Sequence, residues 1–156
     1  MLIYLDIDGV MVSADSWKRP EILVDGFMDF KPKAVCALNR IIADTSAKIV
    51  LTTSHKHLYS LTEWKKIFEK RNIQVSEITR LPENKNHSSR KQELLDWFNV
   101  NGITEDFIII DDDKSLNELP EFLKCKLIQT YGSIGLTDSL AEEAINKLRN
   151  SQKDFV

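Results

Sequence analysis

A doubly wound, mostly parallel α/β sheet is the fold class this sequence predicts, on three observations. Three short apolar runs, Leu2 to Leu5, Ile49 to Leu51 and Phe107 to Ile110, each stop abruptly at acids or hydroxyls. Runs of this kind are the mark of strands buried on both faces of a parallel sheet. Stretches with apolar residues at three- and four-residue spacing lie between them, and strands alternating with helices imply a sheet covered on both sides. All three polar clusters fall at the carboxyl ends of strands, where open α/β sheets bind their ligands.

Taken in order, Leu2-Ile3-Tyr4-Leu5 is the first strand and runs into Asp6-Ile7-Asp8-Gly9-Val10. A helix is expected from Pro32 to Asp44, with proline near its start and Ala34, Val35, Leu38, Ile41 and Ile42 on one side. The strand Lys48-Ile49-Val50-Leu51 follows and runs into Thr52-Thr53-Ser54. Leu61 to Arg71 is a second helix carrying Leu61, Trp64, Ile67 and Phe68, and Gln74 to Ile78 a weaker strand. Ser89 to Val100 is a third helix with Leu94, Leu95, Trp97 and Phe98, closed by Gly102. The strand Phe107 to Ile110 then meets Asp111-Asp112-Asp113, a weaker strand is expected from Lys126 to Thr130, and Thr137 caps a last helix reaching Arg149. Trp64 and Trp97, at helical spacing among Leu and Phe, are expected in the core.

A chain of 156 residues has room for one domain with a real core, so residues 1–156 are expected to form a single domain. With 42% hydrophobic and 29% charged residues the composition is that of an ordinary globule, and a net charge of −3 draws it neither to nucleic acid nor to an anionic membrane. Cys36 and Cys125 form no CxxC pair and have no neighbouring histidine; they read as reduced core residues. The apolar start is interrupted by Asp6 and Asp8 and lacks a basic region, so it reads as a strand and not a signal. No segment approaches the ~20 apolar residues that span a bilayer, and a cytoplasmic protein with no membrane partner is expected.

Asp6 and Asp8 lie on the same side of a strand end, because side chains alternate with period two. Asp111, Asp112 and Asp113 at the same edge bring the count to five carboxylates, an arrangement that calls for a hard cation held by oxygen ligands. Magnesium fits this set; with neither sulfur nor imidazole in it, zinc and copper do not. The Asp triplet alone reads equally well as a turn.

A strand ending in DxDGV, a strand ending in Thr, a later Arg or Lys opening a helix and a strand ending in DD, in that order from Leu2 to about Ser115, resemble the four motifs of the haloacid dehalogenase (HAD) superfamily. The finer pattern of LTTS and a basic residue, RxxELxxWF, IIIDDD and a late YGSIGLT is similar to the small HAD domain of Swiss Army Knife RNA-repair proteins. The resemblance implies a HAD-like Rossmannoid fold and a magnesium-dependent phosphomonoesterase working through an aspartyl-phosphate. It makes Asp6 the nucleophile and Asp8 the general acid, with Asp6, the Asp8 backbone carbonyl and Asp111 as Mg²⁺ ligands, joined directly or through water by Asp112. Thr52, or Thr53 beside it, would bond the phosphoryl group, and either Arg90 or Lys91 would clamp it. Gly9, Thr53 and Lys56 are further substrate-binding candidates. His55 and Lys56 depart from the aromatic residue and Arg usual in the RNA-repair type. Trp17-Lys18-Arg19 is a loop that could overhang the site.

HAD enzymes usually select substrates with an inserted cap. The stretch from Val12 to Pro32 is loop-sized and His55 to Ser89 is spent on one helix, one strand and the Leu81 to His87 loop, so a capless or nearly capless enzyme is expected. An open site suits a phosphorylated substrate such as a nucleic-acid end or a phosphoprotein, while a small phosphometabolite is also compatible. The rivals are a receiver-like phosphoacceptor module and a phosphate-binding domain without turnover. A receiver has its acid pair first, its phosphorylated Asp on the third strand and its Lys late, whereas here the basic residue precedes the Asp triplet.

Overall fold

In the computed structural model, which describes residues 1–15, 17 and 20–153, every strand of the sheet is parallel. The strands are β1 (Leu2–Leu5), β2 (Lys48–Leu51), β3 (Ile78–Arg80), β4 (Phe107–Asp111) and β5 (Leu127–Gln129), in the order β3-β2-β1-β4-β5. The helices are α1 (Pro32–Thr45), α2 (Leu61–Lys70), α3 (Arg90–Asn101), the short α4 (Glu121–Lys124) and α5 (Asp138–Lys153), with a 3₁₀ turn at Lys114–Glu118. The chain winds outward from β1 to β3, returns to the other side of β1 as β4, and so creates a topological switch between β1 and β4.

The period of two divides the strands between two cores. Ile3, Leu5, Ile49, Leu51, Ile108 and Ile110 face α1, α2 and α5, where they meet Leu38, Ile41, Trp64, Phe68 and Leu148. Tyr4, Val50, Phe107, Ile109 and Leu127 face the other way, onto Leu94 and Phe98 of α3, Leu116 of the 3₁₀ turn and Leu123 of α4. Trp64 is fully buried, and Trp97, packed against the second core, donates its indole N–H to the Tyr4 hydroxyl at 3.1 Å.

Local chemistry sets the helix ends. Ser60 opens α2 with a complete capping box to Glu63. Ser89 opens α3 by accepting from the Gln92 N–H, and Thr137 opens α5 by accepting from Leu140. Gly102 follows α3 as expected.

Two expectations are corrected. The strand expected at Gln74 to Ile78 lies at Ile78–Arg80, because Ile73 and Val75 are spent on the helix layer and the ladder with β2 starts at Ile78. Cys36 and Cys125 are exposed free thiols rather than core residues. Between β1 and α1 the described residues form only two isolated bridges, Asp8 with Val12 and Ile22 with Met28, and no helix or strand of a cap is inserted among them. This segment is pinned from beneath: the buried Arg71 binds the Asp25 carboxylate at 2.7 Å and donates to the carbonyls of Phe27 and Met28. Of Trp17-Lys18-Arg19, Trp17 is exposed, and Lys18 and Arg19 lie outside the described residues. No helix among the described residues is long and apolar enough to cross a membrane.

Candidate active site

The same parity that builds the second core places the polar residues just beyond it. Leu5 registers with Leu51 on one side and Ile110 on the other, so Asp6, Thr52 and Asp111 are neighbours at the carboxyl edge. By alternation they lie on the face of Tyr4, Val50 and Ile109, the face that α3 covers. On α3 the buried Leu94 and Phe98 are four residues apart, and one turn earlier on that stripe stands Arg90. The Arg90 guanidinium donates to Asp111 Oδ2 at 2.6 Å and to Thr52 Oγ1 at 3.3 Å, and lies 3.6 Å from Asp6. Lys91, about 100° further round the helix, points to Glu118 instead. Of the two cations, the structure brings Arg90 to the carboxylates and leaves Lys91 outside.

Asp6, Asp8, Ser54, Arg90, Asp111 and Asp112, with Asp113 at the rim, line an open cleft of about 270 Å³. A larger hollow of about 520 Å³ lies beside α3 over Leu81, Trp97 and Val100 and holds none of these aspartates. Asp6, Asp111 and Asp112 each offer an oxygen within 4.8 Å of the others, a hard, all-oxygen donor set of the kind that divalent magnesium takes. Burial first, then the negative charge of Asp111, pushes the Asp6 carboxyl up to about 8, with Arg90 offsetting part of this. Asp112 is raised for the same two reasons. Burial opposes the charge of Arg90, but Asp111 and Asp6 outweigh it and hold the guanidinium above its ordinary value. Such a cluster fits a bound cation: it carries more negative charge than Arg90 alone balances.

These shifts have a testable consequence. Asp6 holds its proton more tightly folded than unfolded. Its stabilising contribution is therefore fully present below the unfolded carboxylate value near ~4 and is lost as pH rises through about 8. The metal-free protein is expected to melt at falling temperature from pH ~5 to pH ~8, and Mg²⁺ to restore more stability the higher the pH. Thermal melts with and without Mg²⁺ across that range check it; a Mg²⁺ effect independent of pH would contradict it.

The remaining candidates find other places. Lys56, a substrate-binding candidate, is buried: its side chain is 4% exposed and its Nζ sits 3.1 Å from Glu93. Glu93, one helical turn after Arg90, also lies 3.6 Å from the Arg90 guanidinium and backs the cation from behind. Thr53 is buried and its hydroxyl accepts the His55 N–H within the turn, while Thr52 is the hydroxyl beside Arg90.

The backbone groups of Gly9, another substrate-binding candidate, have partners within the fold: its N–H is given to Val12 and its carbonyl accepts the Thr130 hydroxyl. At φ +81°, a Cβ there would fall 2.1 Å from Asp112 Oδ2. Gly132, in the YGSIGLT segment, leaves similar room, its Cβ position lying 3.0 Å from the same oxygen. Gly9→Ala is expected to cost about 1–2 kcal/mol of stability and to weaken Mg²⁺ binding by displacing Asp112. Calorimetry and a metal titration check this, and unchanged metal affinity would contradict it.

Sequence reading missed two residues. Ser54 lines the cleft, and His55 Nε2 lies 2.9 Å from Asp8 Oδ2. The LTTS run carried the signal for Ser54. For His55, the signal was its departure from the expected aromatic residue.

A family model described as the HAD domain in Swiss Army Knife RNA repair proteins matches residues 2–141. No curated protein matches the chain.

Proposed function

This chain belongs to the HAD domains of Swiss Army Knife RNA repair proteins, and on that premise we propose that it is a magnesium-dependent phosphomonoesterase working through an aspartyl-phosphate on Asp6. One observation carries the reading: a half-buried Arg90 and the Thr52 hydroxyl converge beside Asp6 at the switch between β1 and β4. A carboxylate attacks a phosphoryl group once the charge around both is neutralised and the group is held in line. Asp6, Asp111 and Asp112 would hold the Mg²⁺, which when bound would supply part of that neutralisation.

Arg90 would balance charge on the phosphoryl group, and the Thr52 hydroxyl beside it would bond a phosphoryl oxygen. Lys56 and Glu93 hold Arg90 in place. Asp8, at the mouth of the cleft, gives a proton to the leaving oxygen and takes one from the water that later releases phosphate. The cleft is open and no folded cap is inserted between β1 and α1 among the described residues. This supports a large substrate, a nucleic-acid end before a small phosphometabolite.

A panel of 3′- and 5′-phosphorylated oligonucleotides, nucleotides and sugar phosphates, run with Mg²⁺ and with chelator, tests the reading. Turnover with Mg²⁺ that chelator abolishes is expected. Undiminished turnover in excess EDTA would remove the metal, and stoichiometric phosphorylation without turnover would favour a receiver-like module.

Asp8→Asn separates the two DxD carboxylates. A general acid contributes about 10²–10⁴-fold and matters most for a poor leaving group. Alkyl phosphates should therefore lose far more than aryl phosphates in this variant. Equal losses on both would remove the acid role.

A further inference from the structure

We propose that His55 is a positioning residue for Asp8, holding one carboxylate oxygen so that the other delivers the proton to the leaving group. The inference rests on the acid role of Asp8 given above. His55 Nε2 lies 2.9 Å from Asp8 Oδ2. A carboxylate only accepts, so the imidazole carries its proton on Nε2 and donates it to Oδ2. Asp8 is otherwise loosely placed: its side chain is 45% exposed, and no other described side chain bonds its carboxylate. An acid in that position would spend its time among several rotamers.

His55 is itself anchored. Its backbone N–H donates to Thr53 Oγ1 at 3.3 Å, and its ring meets the Phe27 ring edge-on at 5.8 Å and 78°. Phe27 is 4% exposed, and its carbonyl is bound by the buried Arg71 at 3.1 Å. A chain of contacts thus runs from Arg71 through Phe27 and His55 to Asp8. It gives a purpose to the segment between β1 and α1, which brings Phe27 over the turn after β2.

In the reaction, a bond forms from an Asp6 oxygen to phosphorus while the bond from phosphorus to the leaving oxygen breaks. The proton on Asp8 Oδ1 passes to that oxygen, giving a free hydroxyl and the Asp8 carboxylate. Oδ2 stays on His55 throughout. In the second half, water attacks phosphorus, its proton returns to Oδ1, and the bond to Asp6 breaks to release phosphate. Fixing the carboxyl counts most when proton delivery to the leaving oxygen limits the rate, which is the case for poor leaving groups.

The test compares His55→Ala, His55→Gln and Asp8→Asn on an aryl and an alkyl phosphate with Mg²⁺. A lost hydrogen bond to the acid predicts about a tenfold fall in kcat on the alkyl ester in His55→Ala, with KM unchanged and less than about a threefold fall on the aryl ester. Gln places an amide donor near the Nε2 position, so His55→Gln should recover most of the loss. The double variant Asp8→Asn/His55→Ala should be no slower than Asp8→Asn, since the histidine acts through that carboxyl.

A second readout needs no turnover: nitrogen NMR of labelled histidine in the metal-free protein should show His55 as the Nε2–H form, with a resonance that moves in Asp8→Asn. An equal loss on both esters, an additive double variant or an Nδ1–H tautomer overturns the proposal while leaving the acid role of Asp8 standing. A missing leaving-group effect in Asp8→Asn itself overturns both.

Discussion

Replacing Asp6 by Asn should reduce turnover of every phosphate ester to background while leaving the fold intact. The backbone of Asp6 belongs to the sheet edge, its N–H donating to the Ile110 carbonyl, and an amide of nearly the same shape leaves that bond in place. Asp6 is, by contrast, only 6% exposed, with its carboxylate beside Arg90, and on the proposed reading that carboxylate is the group that attacks phosphorus, for which an amide is no substitute. Since ionising Asp6 works against folding in the metal-free protein, the variant should melt no lower than wild type.

Beryllofluoride, which mimics a phosphoryl group on a carboxylate oxygen, gives the decisive readout. With Mg²⁺ and at about 100-fold excess over Kd it should raise the melting temperature of wild type by on the order of 5–10 °C, and that of Asp6→Asn not at all. A receiver-like domain would also bind it, but at an aspartate on a middle strand and without multiple turnover. Stabilisation that survives in Asp6→Asn beside retained hydrolysis would refute a covalent intermediate at this residue.

Arg90→Ala should cost about 10³-fold or more in kcat, the scale of an arginine that balances charge on a transferring phosphoryl group. Lys91→Ala, one residue on, should leave the rate within about twofold, since a surface pair such as Lys91 with Glu118 is worth ~0–1 kcal/mol. The contrast follows from 100° of helix rotation. Arg90→Lys is the finer probe: the contacts to Asp111 and Thr52 both come from Nη1, so a lysine keeps the charge for them but loses the Nε–H that faces Glu93 and the fixed orientation of the guanidinium, and it should recover only part of the rate. A large loss in Lys91→Ala with an active Arg90→Ala would reverse the assignment.

Much of this site could be read before any fold was known, because its signals are local. A continuous apolar run such as Leu2 to Leu5 must be covered on both faces, which already implies a parallel sheet with helices on each side. Acids just after such runs must stand at the carboxyl edge, so Asp6 and Asp111 were legible as partners across about a hundred residues. The capping positions Ser89 and Thr137, and Gly102 after α3, were equally open to reading, since a cap depends on residues within one turn.

What the tertiary structure alone decided was which side of each element faces which neighbour. β2 is apolar at Ile49, Val50 and Leu51 alike, so its pattern cannot say whether Thr52 or Thr53 shares a face with Asp6; the register with Leu5 does. In α3, Arg90 and Lys91 are both polar and both in the first turn, and only the docking of Leu94 and Phe98 on the sheet selects Arg90. Lys56 is a solvent-seeking residue by type, and its burial follows from Glu93, supplied by a helix far along the chain. The contact of His55 with Asp8 lies furthest from the sequence. It joins turns 47 positions apart and depends on Phe27 being held by Arg71, so no local propensity encodes it. Local chemistry wrote the strands, the caps and the kinds of residue at the edge, and long-range packing chose the face each of them presents.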